Sequence, residues 1–129
     1  MIFKKKSKPI AISNRILQGT IVNGTIESEG DLRIDGEIQG EITIKGKLVI
    51  GVEGKIVGNV KCTSSKIEGK LIGDITAAEA VHMITQSYVE GNVITNRLIV
   101  DEGSVFNGRC RMTTGEKLNK KSDPEKINA

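Results

Sequence analysis

At 129 residues, with 15 glycines, 2 prolines and only 3 aromatic residues, the chain is sized for one compact domain, and its plentiful Ile and Val favour strands broken by tight turns over a helical bundle. The formal charge of +3 is unevenly placed: residues 1–15 carry Lys4, Lys5, Lys6, Lys8 and Arg15 without an acid, whereas residues 16–112 hold 10 bases and 13 acids. No apolar run approaches the roughly 18 residues of a membrane span and the start lacks the apolar core of a signal peptide, so a cytoplasmic protein is expected.

In chain order, residues 1–15 read as a disordered basic arm. Its tip, Met1, Ile2 and Phe3, followed by Lys4, Lys5, Lys6 and Lys8, couples apolar side chains to a cationic cluster. That combination suits an anionic lipid surface, where each Lys contributes about 1 kcal/mol. An ordinary solvated tail is the plain alternative. Nucleic acid fits poorly, because no aromatic residue interleaves with the Lys cluster and the rest of the chain is net acidic.

From residue 16 to 112 the unit aliphatic-x-Gly-x-aliphatic recurs. It is clearest in Ile34-Asp35-Gly36-Glu37-Ile38 running on through Gly40 to Ile42, in Val52 through Gly54, Ile56 and Gly58 to Val60, and in Ile67 through Gly69, Leu71 and Gly73 to Ile75. Weaker units start at Leu17, Val89 and Val105. The six starts are 17, 18, 15, 22 and 16 residues apart. A period below about 20 is too short for helix-containing repeats, so each unit is expected to be one rung of a strand-only coil. Alternation, as in Ile42-Thr43-Ile44 and Leu48-Val49-Ile50, aims every second side chain inward, and glycine supplies corners. The predicted fold is an all-β, single-stranded β-helix (β-solenoid) of about six rungs and roughly 25–30 Å length. The long interval from 67 to 89 reads as an enlarged rung or bulged loop, with a short helix possible near Thr76–Glu79. Aliphatic steps of four and two do not match a left-handed hexapeptide coil, which favours the right hand. Cys62 and Cys110 fall about three rungs apart, beyond the reach of a disulfide, and are expected as free thiols. Residues 113–129, rich in Lys, Asn and Glu, read as a disordered tail.

The doubled motif Ile34-Asp-Gly-Glu-Ile-Gln-Gly-Glu-Ile42, the following Leu48-Val-Ile-Gly51 and the basic arm resemble the bactofilins, bacterial polymer-forming cytoskeletal proteins. The resemblance implies a right-handed β-helix between disordered tails, assembling end to end into non-polar filaments without nucleotide or other cofactor. It further implies filaments on the inner face of the cytoplasmic membrane that position cell-wall synthesis, remodelling or shape-determining proteins.

Independently of that likeness, a strand coil has two ends with unpaired backbone groups and an open apolar cross-section, which stacking on another copy would cover. Ile16, Leu17 and Ile21 are expected at one such contact, and Val105, Phe106 and Met112 at the other. Enzymatic rivals fit less well. Small solenoid acyltransferases and carbonic anhydrases need catalytic or metal-binding histidines, and the one histidine, His82, alternates with Val81 and Met83 as an outward strand residue. Asp31, Asp35, Glu37 and Glu41 beside Lys45, Lys47 and Lys55 suggest cross-rung ion pairs on a solvated face. No phosphate-cradling loop is visible, and no metal or cofactor site is expected. A non-polymerising β-helical module that binds another protein is the second reading.

Overall fold

The computed structural model describes residues 13–113, and among them every regular element is a strand. The expectations for residues 1–12 of the arm and for the tail beyond 113 lie outside the described residues. The strands are β1 (Ser13–Ile16), β2 (Ile21–Ser28), β3 (Asp31–Ile34), β4 (Glu37–Ile44), β5 (Lys47–Ile50), β6 (Lys55–Ile67), β7 (Lys70–Ile72), β8 (Ile75–Met83), β9 (Tyr88–Thr95), β10 (Leu98–Val100) and β11 (Val105–Met112). They wind into a parallel β-solenoid of about six turns. The coil opens at Ser13, so Asn14 and Arg15 belong to its first strand and not to the arm.

Each turn has three faces, because a strand pairs only with its equivalents one turn before and one turn after. The first face stacks β1, β3, β5, the end of β6, the end of β8 and β10. The second stacks the front halves of β2 and β4, the start of β6, β7, and the front halves of β9 and β11. The back halves of β2, β4, β9 and β11, with the middle of β6 and the start of β8, make the third. Alternation then stacks like on like through the core. One inward column runs Ile16, Ile34, Ile50, Ile67, Met83 and Val100. Another runs Val22, Ile38, Ile56, Leu71, Val89 and Phe106. In both, the four middle members are completely buried. Complete burial of such a side chain is worth about 1.5–3 kcal/mol, so this core carries the fold.

The corner between second and third faces is a column of glycines at 24, 40, 58, 73, 91 and 108, every one with φ between +133° and +155°. Glycine is required there twice over. The backbone lies where L side chains are strained, and at Gly58 an added Cβ would land on the carbonyl oxygen of Gly40 one turn below. The spacing of this column makes the turns 15 to 18 residues long. The corner between first and second faces is looser. It is short at Asp35-Gly36 and Glu68-Gly69, and four residues long at Leu17–Thr20, Gly51–Gly54, Ile84–Ser87 and Asp101–Ser104, where the fourth N–H donates to the first carbonyl at 2.8–3.2 Å.

Two expectations are corrected by this register. The structural partner of Ile34 is Ile50, not Val52, which sits 70% exposed on a corner, and Val89-Glu90-Gly91 aligns with Leu71-Ile72-Gly73 instead of Ile67-Glu68-Gly69. The enlarged rung between 67 and 89 therefore does not exist. What remains there is one extra residue, since Cys62 faces Ala77 while Ser64 faces Ala80, and the segment is strand, not helix.

The cross-rung ion pairs are also replaced. Glu37 and Lys55 are register partners, yet no ion pair joins them. Acids instead accept backbone N–H groups from the next turn, Asp31 Oδ1 from Lys47 at 2.9 Å and Asp74 Oδ1 from Asn92 at 3.0 Å. A carboxylate on a neighbouring N–H holds its turn more firmly than an exposed pair worth about 0–1 kcal/mol.

The glycine column is tested by a graded pair of substitutions. Gly24→Ala, whose Cβ meets nothing within 4 Å, is expected to cost about 1–2 kcal/mol from backbone strain alone. Gly58→Ala, with strain plus collision, is expected to cost more than about 3 kcal/mol in urea unfolding.

The open ends as a candidate assembly site

The parallel ladder stops at β1 and β2 on one side and at β10 and β11 on the other, each of which has a hydrogen-bonded neighbour on one side only. Among the described residues, backbone groups facing away from that neighbour have no strand to bond. The inward columns stop there too. Ile16, Val22 and Ile26 at the first turn, and Leu98, Phe106 and Cys110 at the last, are packed against the core yet only partly buried.

The ends differ chemically. At the first turn two inward positions are polar: Asn14 stands in register with Leu32, Ser28 with Ile44, and Asn14 Nδ2 donates to Ser28 Oγ at 3.0 Å. At the last turn the corresponding inward residues are Leu98, Val100, Phe106, Cys110 and Met112, with Cys110 and Met112 sulfurs 3.5 Å apart. That surface is wholly apolar. Val100 and Met112 remain 46% and 41% exposed in the single chain.

Of the residues expected at the ends, the structure places Ile16, Phe106 and Met112 on the cross-sections themselves. Leu17 and Ile21 are at the first turn but on its rim, at a corner and on an outward column, 59% and 62% exposed. Val105 occupies the equivalent outward column at the other end, where the intervening turns carry Glu37, Lys55, Lys70 and Tyr88. Sequence reasoning missed Val22, Ile26, Leu98, Val100 and Cys110. Register would have found them, because Val22 stands under Ile38 and Cys110 over Val93. The expected arm residues Met1, Ile2, Phe3, Lys4, Lys5, Lys6 and Lys8 fall outside the described residues.

Nothing else among the described residues competes as a reaction centre. His82 points outward and its Nε2 lies 3.0 Å from Asp101 Oδ1, a carboxylate partner that strand alternation alone did not reveal. The Ser104 hydroxyl in that corner donates to the Asp101 backbone carbonyl at 2.6 Å, so its bond closes a turn. No group of three or more His, Cys, Asp or Glu among the described residues could hold a metal ion. No helix among them is long and apolar enough to cross a membrane.

A family model described as bactofilin, polymer-forming cytoskeletal, matches residues 14–111. The chain belongs to the bactofilin family. Bactofilins are structural cytoskeletal proteins, and this bactofilin is therefore not an enzyme. Among curated relatives from Myxococcus xanthus, bactofilin BacP is 26% identical over 84% of this chain, and bactofilin BacO 27% identical over 82%. The match spans 46% of the length of BacP and 85% of BacO. Among solved structures, the cytoskeletal bactofilin BacA, determined by solid-state NMR, superposes with a TM-score of 0.71 at 26% identity, covering 79% of this chain and 97% of that one. The cryo-EM reconstruction of Thermus thermophilus bactofilin double helical filaments superposes with a TM-score of 0.69 at 27% identity, covering 76% and 99%.

Both cysteines are free, and they report on different places. Burial pushes the Cys62 thiol up to about 12, and burial also raises that of Cys110, which is less enclosed. In the unassembled protein at pH 8, a maleimide is expected to label Cys110 at least ~100-fold faster than Cys62, read by mass spectrometry. Equal rates would mean that the last turn is not the open end described.

Proposed function

We propose that this bactofilin is a cytoskeletal scaffold that polymerises end to end, without nucleotide, into filaments on the inner face of the cytoplasmic membrane, where they position cell-wall synthesis, remodelling or cell-shape proteins. The observation that carries the reading is the pair of uncovered ends. A ladder whose backbone bonds and core columns both stop in mid-pattern is completed by another ladder.

The chemistry of the ends favours like meeting like. Two last turns would bury five apolar residues against the same five, and two first turns would bring Asn14 and Ser28 of each copy together, able to exchange hydrogen bonds. A head-to-tail contact would instead set Asn14 and Ser28 against Leu98 and Met112, taking from water the polar capacity that their mutual bond leaves unused, at about 1–3 kcal/mol for each group left unpaired. Two alternating two-fold contacts make a filament without polarity. The Thermus relative is solved as double helical filaments, and a two-stranded filament is part of the proposal for this chain.

For the membrane, the support is the arm's sequence, an apolar tip before Lys4, Lys5, Lys6 and Lys8. One arm binds weakly and reversibly. A polymer displaying many arms gains avidity, so assembly and attachment reinforce each other.

Negative-stain microscopy of the parent beside Phe106→Arg tests the polymer. A charge in the centre of an apolar contact is expected to reduce filaments to short soluble species, with far-ultraviolet circular dichroism unchanged. Filaments that persist in the variant would remove Phe106 from the contact, and a parent that never elongates would leave the non-polymerising binding module in its place. Sedimentation with vesicles tests the arm. Deleting residues 1–12 is expected to abolish binding to vesicles containing phosphatidylglycerol while leaving filaments intact. Undiminished binding would contradict the arm's role.

A further inference from the structure

The solenoid's charge is segregated around its axis. Outward positions of the first face carry Arg15, Arg33, Lys47, Lys66 and Arg97 against the single acid Asp31. The corner that follows it carries Asp35, Glu53, Glu68, Asp101 and Glu102 and no base. Outward positions of the second and third faces are each balanced between acids and bases. Within the molecule these opposite strips are joined at two points only among the described residues, Arg33 to Asp35 at 2.9 Å and His82 to Asp101 at 3.0 Å. Lys47, Lys66, Arg97, Glu53, Glu68 and Glu102 are in no ion pair.

We infer that two filaments of this chain pair side by side through their first faces, the basic strip of each lying against the acidic corner of the other. The order of charge across this side of the rod explains why. It runs from the column of Lys47 and Arg97, through that of Arg33 and Lys66, to the acidic corner. A second rod related by a two-fold axis parallel to the rod and running along the middle of the contact presents the reverse order. Each acidic corner then faces the partner's Lys47 and Arg97 column, and both halves of the contact are satisfied by one operation. A flat anionic membrane fits this side less well, because laying the face down would bring the acidic corner to the surface with it.

The size of the surface sets when pairing occurs. Four-residue strands stacked six deep give a face about 13 Å by 29 Å, roughly 400 Å² per copy. That is below the about 800 Å² per partner of a stable interface, so single copies do not pair. A polymer repeats the face many times along its length and does. The inference rests on the end-to-end polymer proposed above and adds to it the surface that makes the second strand.

The test counts strands per filament by cryo-electron microscopy. Parent filaments are expected to be paired in 50 mM NaCl and mostly single in 1 M NaCl, where screening acts within about 3 Å. Lys47→Glu with Arg97→Glu is expected to give single filaments at low salt, with roughly tenfold fewer pairs. Adding Glu53→Lys, Glu68→Lys and Glu102→Lys to that variant reverses every corner acid outside the two ion pairs, makes the corner net basic, and is expected to restore pairing, an outcome that misfolding or a generic loss of charge would not produce. Pairs that survive both salt and reversal, or a double reversal that stays single, would overturn the inference while leaving the polymer standing. Single parent filaments that coat phosphatidylglycerol vesicles through this face even without residues 1–12 would overturn it in favour of lipid. A parent that forms no filaments would remove the polymer and this pairing together.

Discussion

Parallel backbone pairing between successive turns is the interaction on which everything else in this molecule depends, because a strand that bonds only to the turns before and after it forces those turns to share a path. Shared paths place equivalent side chains in columns one strand spacing apart, about 4.8 Å. Columns of Ile, Val and Leu then pack like on like through the core. The second corner shows how strict the demand is. Where the chain bends between faces, the carbonyl of one turn occupies the space that a Cβ of the next would need at five of the six glycines in line, and Gly24 at the open end is held by its positive φ alone.

The same interaction explains why the molecule is unfinished when alone. A helix satisfies its own backbone and a barrel closes its sheet, but a solenoid propagates an unsatisfied edge from its first turn to its last. In the columns through Ile34 and Ile38 the middle members are completely buried and the terminal members are not, although the residues are of similar kind. Position in the stack, not composition, exposes Val22 and Phe106. The proposed polymer would complete what folding leaves open. In a like-with-like filament the junction would pair strands antiparallel, where turns within a copy pair parallel, and would cover the same backbone groups and core columns.

Much of this was legible in the residues, and the parts that were not have a physical reason. Period-two alternation in stretches such as Leu48-Val49-Ile50 identified the strands and their inward sides, and repetition identified the coil. Register slipped because glycine serves two corners for different reasons. Gly40, Gly58 and Gly73 are demanded by positive φ and by the carbonyl beneath, whereas Gly36, Gly54 and Gly69 occupy a corner that elsewhere takes Thr20, Ser87 and Ser104. The unit aliphatic-x-Gly-x-aliphatic fits both, so the sequence alone aligns Gly91 with Gly69 and lengthens a rung. That slip also put Ile21 inside and left Val22 out, since one residue of offset exchanges the faces of a strand. Charge segregation was hidden for a related reason. Asp35, Glu53 and Glu102 are scattered along the chain and become one edge only when the turns are stacked.

The central claim is that one ladder runs on from copy to copy, and the axial rise per copy in the filament tests it most directly. Six turns at about 4.8 Å, with junctions spaced like any other pair of turns, predict a rise of roughly 29 Å per copy in a cryo-electron microscopy reconstruction, with strand density uninterrupted across the junction. A rise above about 35 Å, or a gap in strand density at each junction, would show that something other than the open ladder joins the copies.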